Sequence, residues 1–312
     1  MRADLLHVVT CVSNPLLWKS RIGLYREFEN HMLEAGVLLT VVECVLGERP
    51  FELASNPRVN HVGVRHHTFT FNKECLLNIG IQSVVRIDPD AQYIATLDAD
   101  IRFRNKAWAA ETVQALQRFE VVQPWVDCYD LGPNGEHLEL HRSFCNLWQN
   151  QQSIVQGPNA VKGPYRFGHP GYAWAWRRSA LAGLGLLIET AVLGAADHHM
   201  ALALIGRVMD SVPSNLTPGY IQPLLSWQKK ARILRMNIGA VPGTIEHGFH
   251  GPKVKRRYVE RWDILHRHGF DPHTDLMKND YGVVELDGAK PALRMDIERY
   301  FSERDEDANT IF

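Results

Sequence analysis

Tyr93-Ile-Ala-Thr-Leu-Asp98-Ala-Asp100-Ile-Arg-Phe103 is an apolar run that ends on two carboxylates one residue apart. Its β-like pattern predicts a strand that expels Asp98 and Asp100 at its C-terminal end, where open α/β sheets carry their ligand crevice. A hard divalent cation, Mg²⁺ or Mn²⁺, takes one or two carboxylates plus the oxygens of a diphosphate, so the pair reads as a metal–nucleotide site. Taken alone, an Asp-x-Asp after a strand is equally an exposed turn. The flanking sequence has to separate the two.

Upstream, Leu5 to Val12 reads as a buried first strand left through the turn Ser13-Asn14-Pro15. Residues 18–35 place Ile22, Tyr25, Phe28, Met32 and Leu33 at helical spacing, with Gly36 as the stop. Val37 to Leu46 is a second β-rich run, Phe71 to Val85 a helix, and Tyr93 to Leu97 the strand that delivers the carboxylates. This alternation predicts an α/β fold with a largely parallel sheet flanked by helices. Downstream, Val121 to Pro124 is a further strand, Leu131 to Glu136 a loop, and Ser143 to Tyr172 a stretch of long loops. Ala191 to Val208 and Lys253 to Arg267 are expected to be helices, the second basic on its face, and residues 302–312 a polar, frayed end.

With 312 residues, 45% of them hydrophobic, the chain can bury a large core. A net charge of −1 excludes a global field that draws in nucleic acid or anionic membrane. Charge is local instead: Lys229, Lys230, Arg232, Arg235, Lys253, Lys255, Arg256, Arg257, Arg261 and Arg267 face three acids between 229 and 268, a balance of +7. Five scattered cysteines without a Cys-x-x-Cys pair argue against a zinc ribbon or disulfide framework and fit a reducing cytoplasm. The N-terminus lacks a signal-peptide pattern, and no run of about 18 apolar residues spans a bilayer. The expected location is therefore cytoplasmic.

The ordered set Phe71-Asn72-Lys73 with Leu76 to Gly80, then Asp98-x-Asp100, Gly168-His-Pro-Gly171-Tyr-Ala-Trp-Ala-Trp-Arg177, Gly194-Ala-Ala-Asp197 and His247-Gly-Phe-His250-Gly251 resembles GT-A glycosyltransferases, in particular the galactosyltransferase-like and family 2-like branch. The tail pattern from His250-Gly-Pro-Lys253 to Phe270-Asp-Pro272 also resembles small glycosyltransferase-like proteins encoded by bacteriophages. The resemblance implies a GT-A, or nucleotide-diphospho-sugar transferase, fold. It implies a catalytic domain over 1–260, with a nucleotide-sugar-binding half at 1–125 and an acceptor and catalytic half at 126–260, then a helical extension over 261–312.

By the same resemblance, Asp98 and Asp100 hold Mn²⁺ or Mg²⁺ on the diphosphate of a UDP-sugar, UDP-glucose or UDP-galactose, with His250 or His247 as a third ligand. Lys253 would meet phosphate as a point charge, and Lys73 with Thr10, Val12 and Asn14 would meet the nucleotide. Asp197 occupies the place of the catalytic base, which takes a proton from an acceptor hydroxyl. It is also a good N-cap for the helix that follows. Ala195 and Ala196 precede it where relatives show a second acid. Gly171, Tyr172, Trp174 and Trp176 would line the acceptor site, although the alternation of the three rings is also what one face of a buried strand shows.

These features imply a metal-dependent hexosyltransferase, inverting through direct displacement. Its acceptor is either the hydroxymethyl group of a modified pyrimidine in phage-type DNA, reached through the basic segment, or a saccharide or glycan precursor. A non-catalytic nucleotide-sugar-binding module is a further alternative. A nucleotidyltransferase should show a Gly-rich phosphate loop after the first strand, and Ser13 to Trp18 lacks one.

Overall fold

The computed structural model describes residues 5–155 and 167–311, so part of the Ser143–Tyr172 loop region, 156–166, lies outside the described residues. The chain enters through β1 (Leu6–Ser13), α1 (Lys19–Glu34), β2 (Leu38–Leu46), β3 (Val59–His66), α2 (Lys73–Ile87) and β4 (Tyr93–Leu97), then β5 (Ile101–Phe103), α3 (Trp108–Leu116) and β6 (Val121–Gln123). A hairpin follows, β7 (Asp127–Leu131) and β8 (His137–Arg142), then α4 (Phe144–Gln149), β9 (Ala173–Arg177), α5 (Arg178–Leu184), α6 (Ala196–Leu204) and α7 (Pro218–Ala231). The last third holds β10 (Ile238–Ala240), β11 (Thr244–His247), α8 (Trp262–Arg267), α9 (Pro272–Asp275), the ribbon β12 (Leu276–Lys278) with β13 (Val284–Leu286), and α10 (Pro291–Ser302).

Seven strands form the central sheet in the order β10-β6-β9-β4-β1-β2-β3, parallel except for β9. The chain winds outward from β1 through β2 to β3 and then returns to the other side of β1 as β4. The strand order therefore reverses between β1 and β4, and an open α/β sheet carries its crevice at the carboxyl ends of those two strands. Along β9 the period of two sends Trp174 and Trp176 to one face and Ala173 and Ala175 to the other, each face closed by its own buried apolar cluster.

A second sheet, β5-β11-β7-β8, stands across the carboxyl edge of the first. Asp98-Ala-Asp100 is the short link by which the chain leaves β4 and enters this sheet as β5. Its register fixes the site. His247 lies opposite Ile101 on β5 and beside Asp130 on β7, while β8 sets Glu139 opposite Asp130.

Several elements differ from expectation. The edge strand β3 was not anticipated, because its exposed and half-buried residues do not form an apolar run. The single basic helix expected from Lys253 to Arg267 is a 3-10 turn at Lys253–Arg256, a break at Arg257 with φ 42°, and then α8. The helix expected over Ala191–Val208 is confined to Ala196–Leu204, entered through Gly194 and Ala195 at φ 91° and 79°. The expected frayed tail is docked: Asp307 accepts hydrogen bonds from the first backbone amides of α1. Among the described residues no helix is long and apolar enough to cross a membrane.

Candidate active site

The cleft at the β1/β4 edge has a volume of about 640 Å³, and Asp98, Asp100, Lys73, Asp197, His247, His250 and Lys253 all line it. Asp98 leaves β4 with its backbone amide held by the Tyr172 carbonyl at 2.8 Å, and its Oδ1 accepts from Lys73 Nζ at 3.1 Å. Burial, opposed by Lys73 and reinforced by the Asp100 and Asp197 charges, raises the Asp98 carboxyl above its ordinary range. Lys73 begins α2 and reaches three acids, standing 3.8 Å from Glu74 and 4.0 Å from Asp197 as well.

Asp100 faces the other sheet. Its carboxylate lies 3.1 Å from His250 Nε2 and 3.6 Å from His247 Nε2, and the two Nε2 atoms are 3.4 Å apart. The Nδ1 of His247 meets Asp130 Oδ1 at 2.8 Å. Burial disfavours a charge on His247, yet Asp100 and Asp130 overcome it and push its value up to about 10. Burial likewise works against the Asp130 carboxylate, but hydrogen bonds from His141 and His247 hold it well below the usual range. Asp130 also accepts the Tyr172 hydroxyl at 2.9 Å.

This arrangement fits a divalent cation. Asp100, His247 and His250 each offer a ligand atom within 4.8 Å of the others, and Asp100 Oδ1 is buried without a hydrogen-bond partner. His247 shows the carboxylate-oriented imidazole typical of metal sites, with Nδ1 on Asp130 and Nε2 free to face a cation. A second group, Asp130, Glu139 and His141, has comparable spacing, but Lys253 already sits there as the cation. It contacts Asp130, Glu139 at 2.7 Å and His141 at 3.2 Å.

Asp197 lines the same cleft from the first turn of α6, its Oδ2 4.0 Å from the Lys73 Nζ that bonds Asp98. Its Oδ1 accepts the His198 amide at 2.8 Å. Its Oδ2 lies against Gly171, where a Cβ would come within 3.0 Å of that oxygen and 2.9 Å of His169 Cε1. Gly171 therefore lets the backbone pass directly under the carboxylate.

Four expected site residues are placed elsewhere. Thr10 is buried within β1, bonded to the Leu97 carbonyl at 2.7 Å. Asn14 is buried in the following turn, where its carboxamide ties the Trp18 amide and carbonyl at 2.9 and 3.0 Å. Val12 does line the cleft. Trp174 and Trp176 are core residues rather than acceptor platforms: their ring N–H groups bond Pro170 O at 2.6 Å and Thr96 Oγ1 at 3.1 Å. Tyr172 alone of the three rings lines the cleft, because its φ of 71° breaks the β alternation and turns its ring to the other face.

Sequence reasoning missed Glu74, Asp130, His141, His169, Arg256, Arg304 and Glu306. Burial pushes the Glu74 carboxyl up to about 7 despite the adjacent Lys73. His169 stacks on Tyr172 at 4.1 Å, and its Nδ1 accepts the Gly171 amide, which leaves the proton on Nε2. The Glu74 signal was present, a polar Asn-Lys-Glu opening an otherwise apolar helix. Asp130 and Glu306 carry no local pattern.

No family model matches the chain, and no curated protein matches it. Among solved structures, it is similar to the catalytic domain of Drosophila β1,4-galactosyltransferase 7 in complex with xylobiose, at 13% identity and a TM-score of 0.40, covering 93% of this chain and 97% of that one. A mutant of the Drosophila enzyme with manganese, UDP-Gal and xylobiose gives 12% identity and 0.42 over the same shares. A CMP:2-keto-3-deoxy-manno-octonic acid synthetase with CTP gives 13% and 0.36, covering 77% of this chain and 89% of that one. Overlap at this level fixes no activity for this chain.

Proposed function

We propose that the protein is a metal-dependent glycosyltransferase that moves a hexose from a UDP-sugar to a hydroxyl with inversion. One observation carries the reading: the register that brings Asp100, His247 and His250 together beside Asp98, with Asp197 lining the same cleft. Asp100, His247 and His250, with Asp98 beside them, would hold Mn²⁺ or Mg²⁺. A cation there neutralises charge growing on the departing diphosphate. The protein's own groups do the rest. Asp197 Oδ2 takes the acceptor hydroxyl proton as that oxygen bonds to the anomeric carbon, and the anomeric bond to the diphosphate oxygen breaks with its electron pair leaving on UDP. A single carboxylate base in the cleft suits one displacement and an inverted product. Lys73, bonded to Asp98, is placed to stay near the phosphates.

Transfer of a nucleotidyl group is disfavoured, since the turn after β1 holds no glycine-rich phosphate cradle. For the acceptor, the structure divides the basic segment. Lys229, Lys230, Arg232 and Arg235 are exposed and precede β10, which runs parallel to β4, so they lie at the edge of the sheet opposite Asp98. Only Lys253, Arg256 and Arg261 of the ten line the cleft. A duplex would not meet all ten basic groups on one face, and a saccharide or glycan precursor is therefore the better-supported acceptor.

The test is release of UDP and gain of one hexose, with UDP-glucose and UDP-galactose, Mn²⁺, and either saccharides or hydroxymethylcytosine DNA. Transfer to saccharides, lost in Asp100→Ala, is the expected result. Transfer to modified DNA alone would reverse the acceptor reading, and binding of donor without turnover on any acceptor would leave a non-catalytic module.

A further inference from the structure

The C-terminal tail reaches back into the site. Glu306, 285 residues from α1, has a carboxylate only 2% exposed that takes a two-point grip from Arg21, at 2.6 and 2.9 Å, and a third contact from Arg304 at 2.8 Å. Its Oε2 also faces His250 Nδ1 at 3.6 Å. Burial works against the Glu306 charge, but Arg21 and Arg304 hold it well below the usual carboxylate range.

The tail is fixed on both sides of this residue. α1 begins at Trp18 without a side-chain cap and has no acid in its first turn. Asp307 supplies the missing acceptor, taking the Lys19 and Ser20 amides at 2.9 Å each, while Ser20 Oγ bonds the Glu306 carbonyl at 3.1 Å. On the other side, Gly251 makes room for the tail: a Cβ there would stand 2.6 Å from Asp305 O and 2.8 Å from Glu306 Cα. The residue after His250 is thus pressed directly against the segment that carries Glu306.

The two imidazoles face like partners at different range: His247 Nδ1 meets Asp130 at hydrogen-bond distance, 2.8 Å, whereas Glu306 stands 3.6 Å from His250 Nδ1 as an ion-pair contact. Each presents Nε2 to Asp100, and each has Nδ1 turned toward a buried carboxylate, Asp130 for His247 and Glu306 for His250. Arg256, which has no counterpart at His247, approaches the His250 ring as well, with Nη2 2.9 Å from Nε2 and 3.2 Å from Nδ1. A carboxylate behind Nδ1 keeps the proton there and leaves the Nε2 lone pair for a cation.

We infer that the C-terminal tail is a working part of the cation site, with Glu306 as a positioning residue that orients His250 as Asp130 orients His247. The inference rests on the cation site proposed above. Its test is Mn²⁺ titration of the full-length protein, without donor or acceptor, followed by the paramagnetic resonance signal of free Mn²⁺. Glu306→Gln should weaken binding about 10–100-fold. Glu298→Gln, which breaks only an i,i+4 pair with Arg294 on α10, should leave Mn²⁺ affinity unchanged. Should Glu306→Gln not fold, Glu306→Asp keeps the charge between the arginines while withdrawing it from His250, and the same weakening is expected. Wild-type affinity in the Glu306 variant that folds overturns the inference alone. No Mn²⁺ binding by the wild-type protein overturns the cation site and the inference with it.

Discussion

Replacing Lys73 by Met keeps an aliphatic stem of similar length and deletes the ammonium that stands 3.1 Å from Asp98, 3.8 Å from Glu74 and 4.0 Å from Asp197. At an effective dielectric of about 20, each contact is a gross attraction of roughly 4–5 kcal/mol, opposed by the cost of burying the ammonium. The Lys73, Asp98 and Asp197 side chains keep 20, 25 and 24% exposure, so water screens part of it. The net loss is set below the ~3–5 kcal/mol of a fully buried broken pair, at about 2 kcal/mol. For a chain of this size that is a fall of about 3 °C in melting temperature. A divalent ion on Asp98 and Asp100 would restore the missing positive charge. Saturating Mn²⁺ should therefore raise the melting temperature of Lys73→Met more than that of the wild type. Thermal unfolding at pH 8 with and without Mn²⁺ reads both effects. Equal Mn²⁺ shifts in the two proteins, or no fall in the variant, would refute the idea that lysine and metal serve the same acids.

Two further outcomes concern the other acids around Lys73. Asp197→Asn keeps the shape and the acceptor for the His198 amide but cannot take a proton, so kcat should drop by about 10²–10⁴ while Mn²⁺ and UDP binding hold; steady-state kinetics beside calorimetry would show it, and retained kcat would remove Asp197 from the base role. Glu74 has a folded value of about 7 against 4.5, so the folded protein binds its proton more tightly and loses stability as pH rises from about 4.5 through 7, by about 3 kcal/mol. Glu74→Gln should accordingly gain stability relative to wild type between pH 5 and pH 8 in denaturant titrations, and a difference independent of pH would count against the buried acid.

The first strand, α1, α2 and the acidic strand were legible because each carries a clean period: continuous β-rich runs for β1, β2 and β4, a helical stripe for α1. The proposed metal ligands were legible as types and order, since Asp98-x-Asp100 and His247-x-x-His250 lie at or just beyond the ends of short strands. What the sequence could not show is which partners the second sheet supplies. Asp130 and Glu139 become part of the site only through the pairing of β7 with β11 and β8, a long-range register with no local pattern. Trp174 and Trp176 misled because a row of rings looks the same whether it faces a ligand or a core. The positive φ at Tyr172, which separates that ring from the other two, is unusual for a non-glycine residue and invisible to a count of alternation.

The ion pairs themselves point to where the cation belongs. Most carboxylates of the cleft have a fixed cationic side chain within reach: Lys73 serves Asp98, Glu74 and Asp197, Lys253 serves Asp130 and Glu139, and Arg21 with Arg304 serve Glu306. Asp100 differs. Among the described residues its only paired groups are His247 and His250, and one of its oxygens is buried without a hydrogen bond. An imidazole pair can balance that carboxylate only by taking up a proton, which explains why the ring of His247 is driven to bind one so strongly. A divalent ion bound there would displace that proton and satisfy the orphaned oxygen. Under the proposed cation site, Asp100→Ala should therefore weaken Mn²⁺ binding more than Asp98→Ala, and equal losses in a Mn²⁺ titration would refute this ranking.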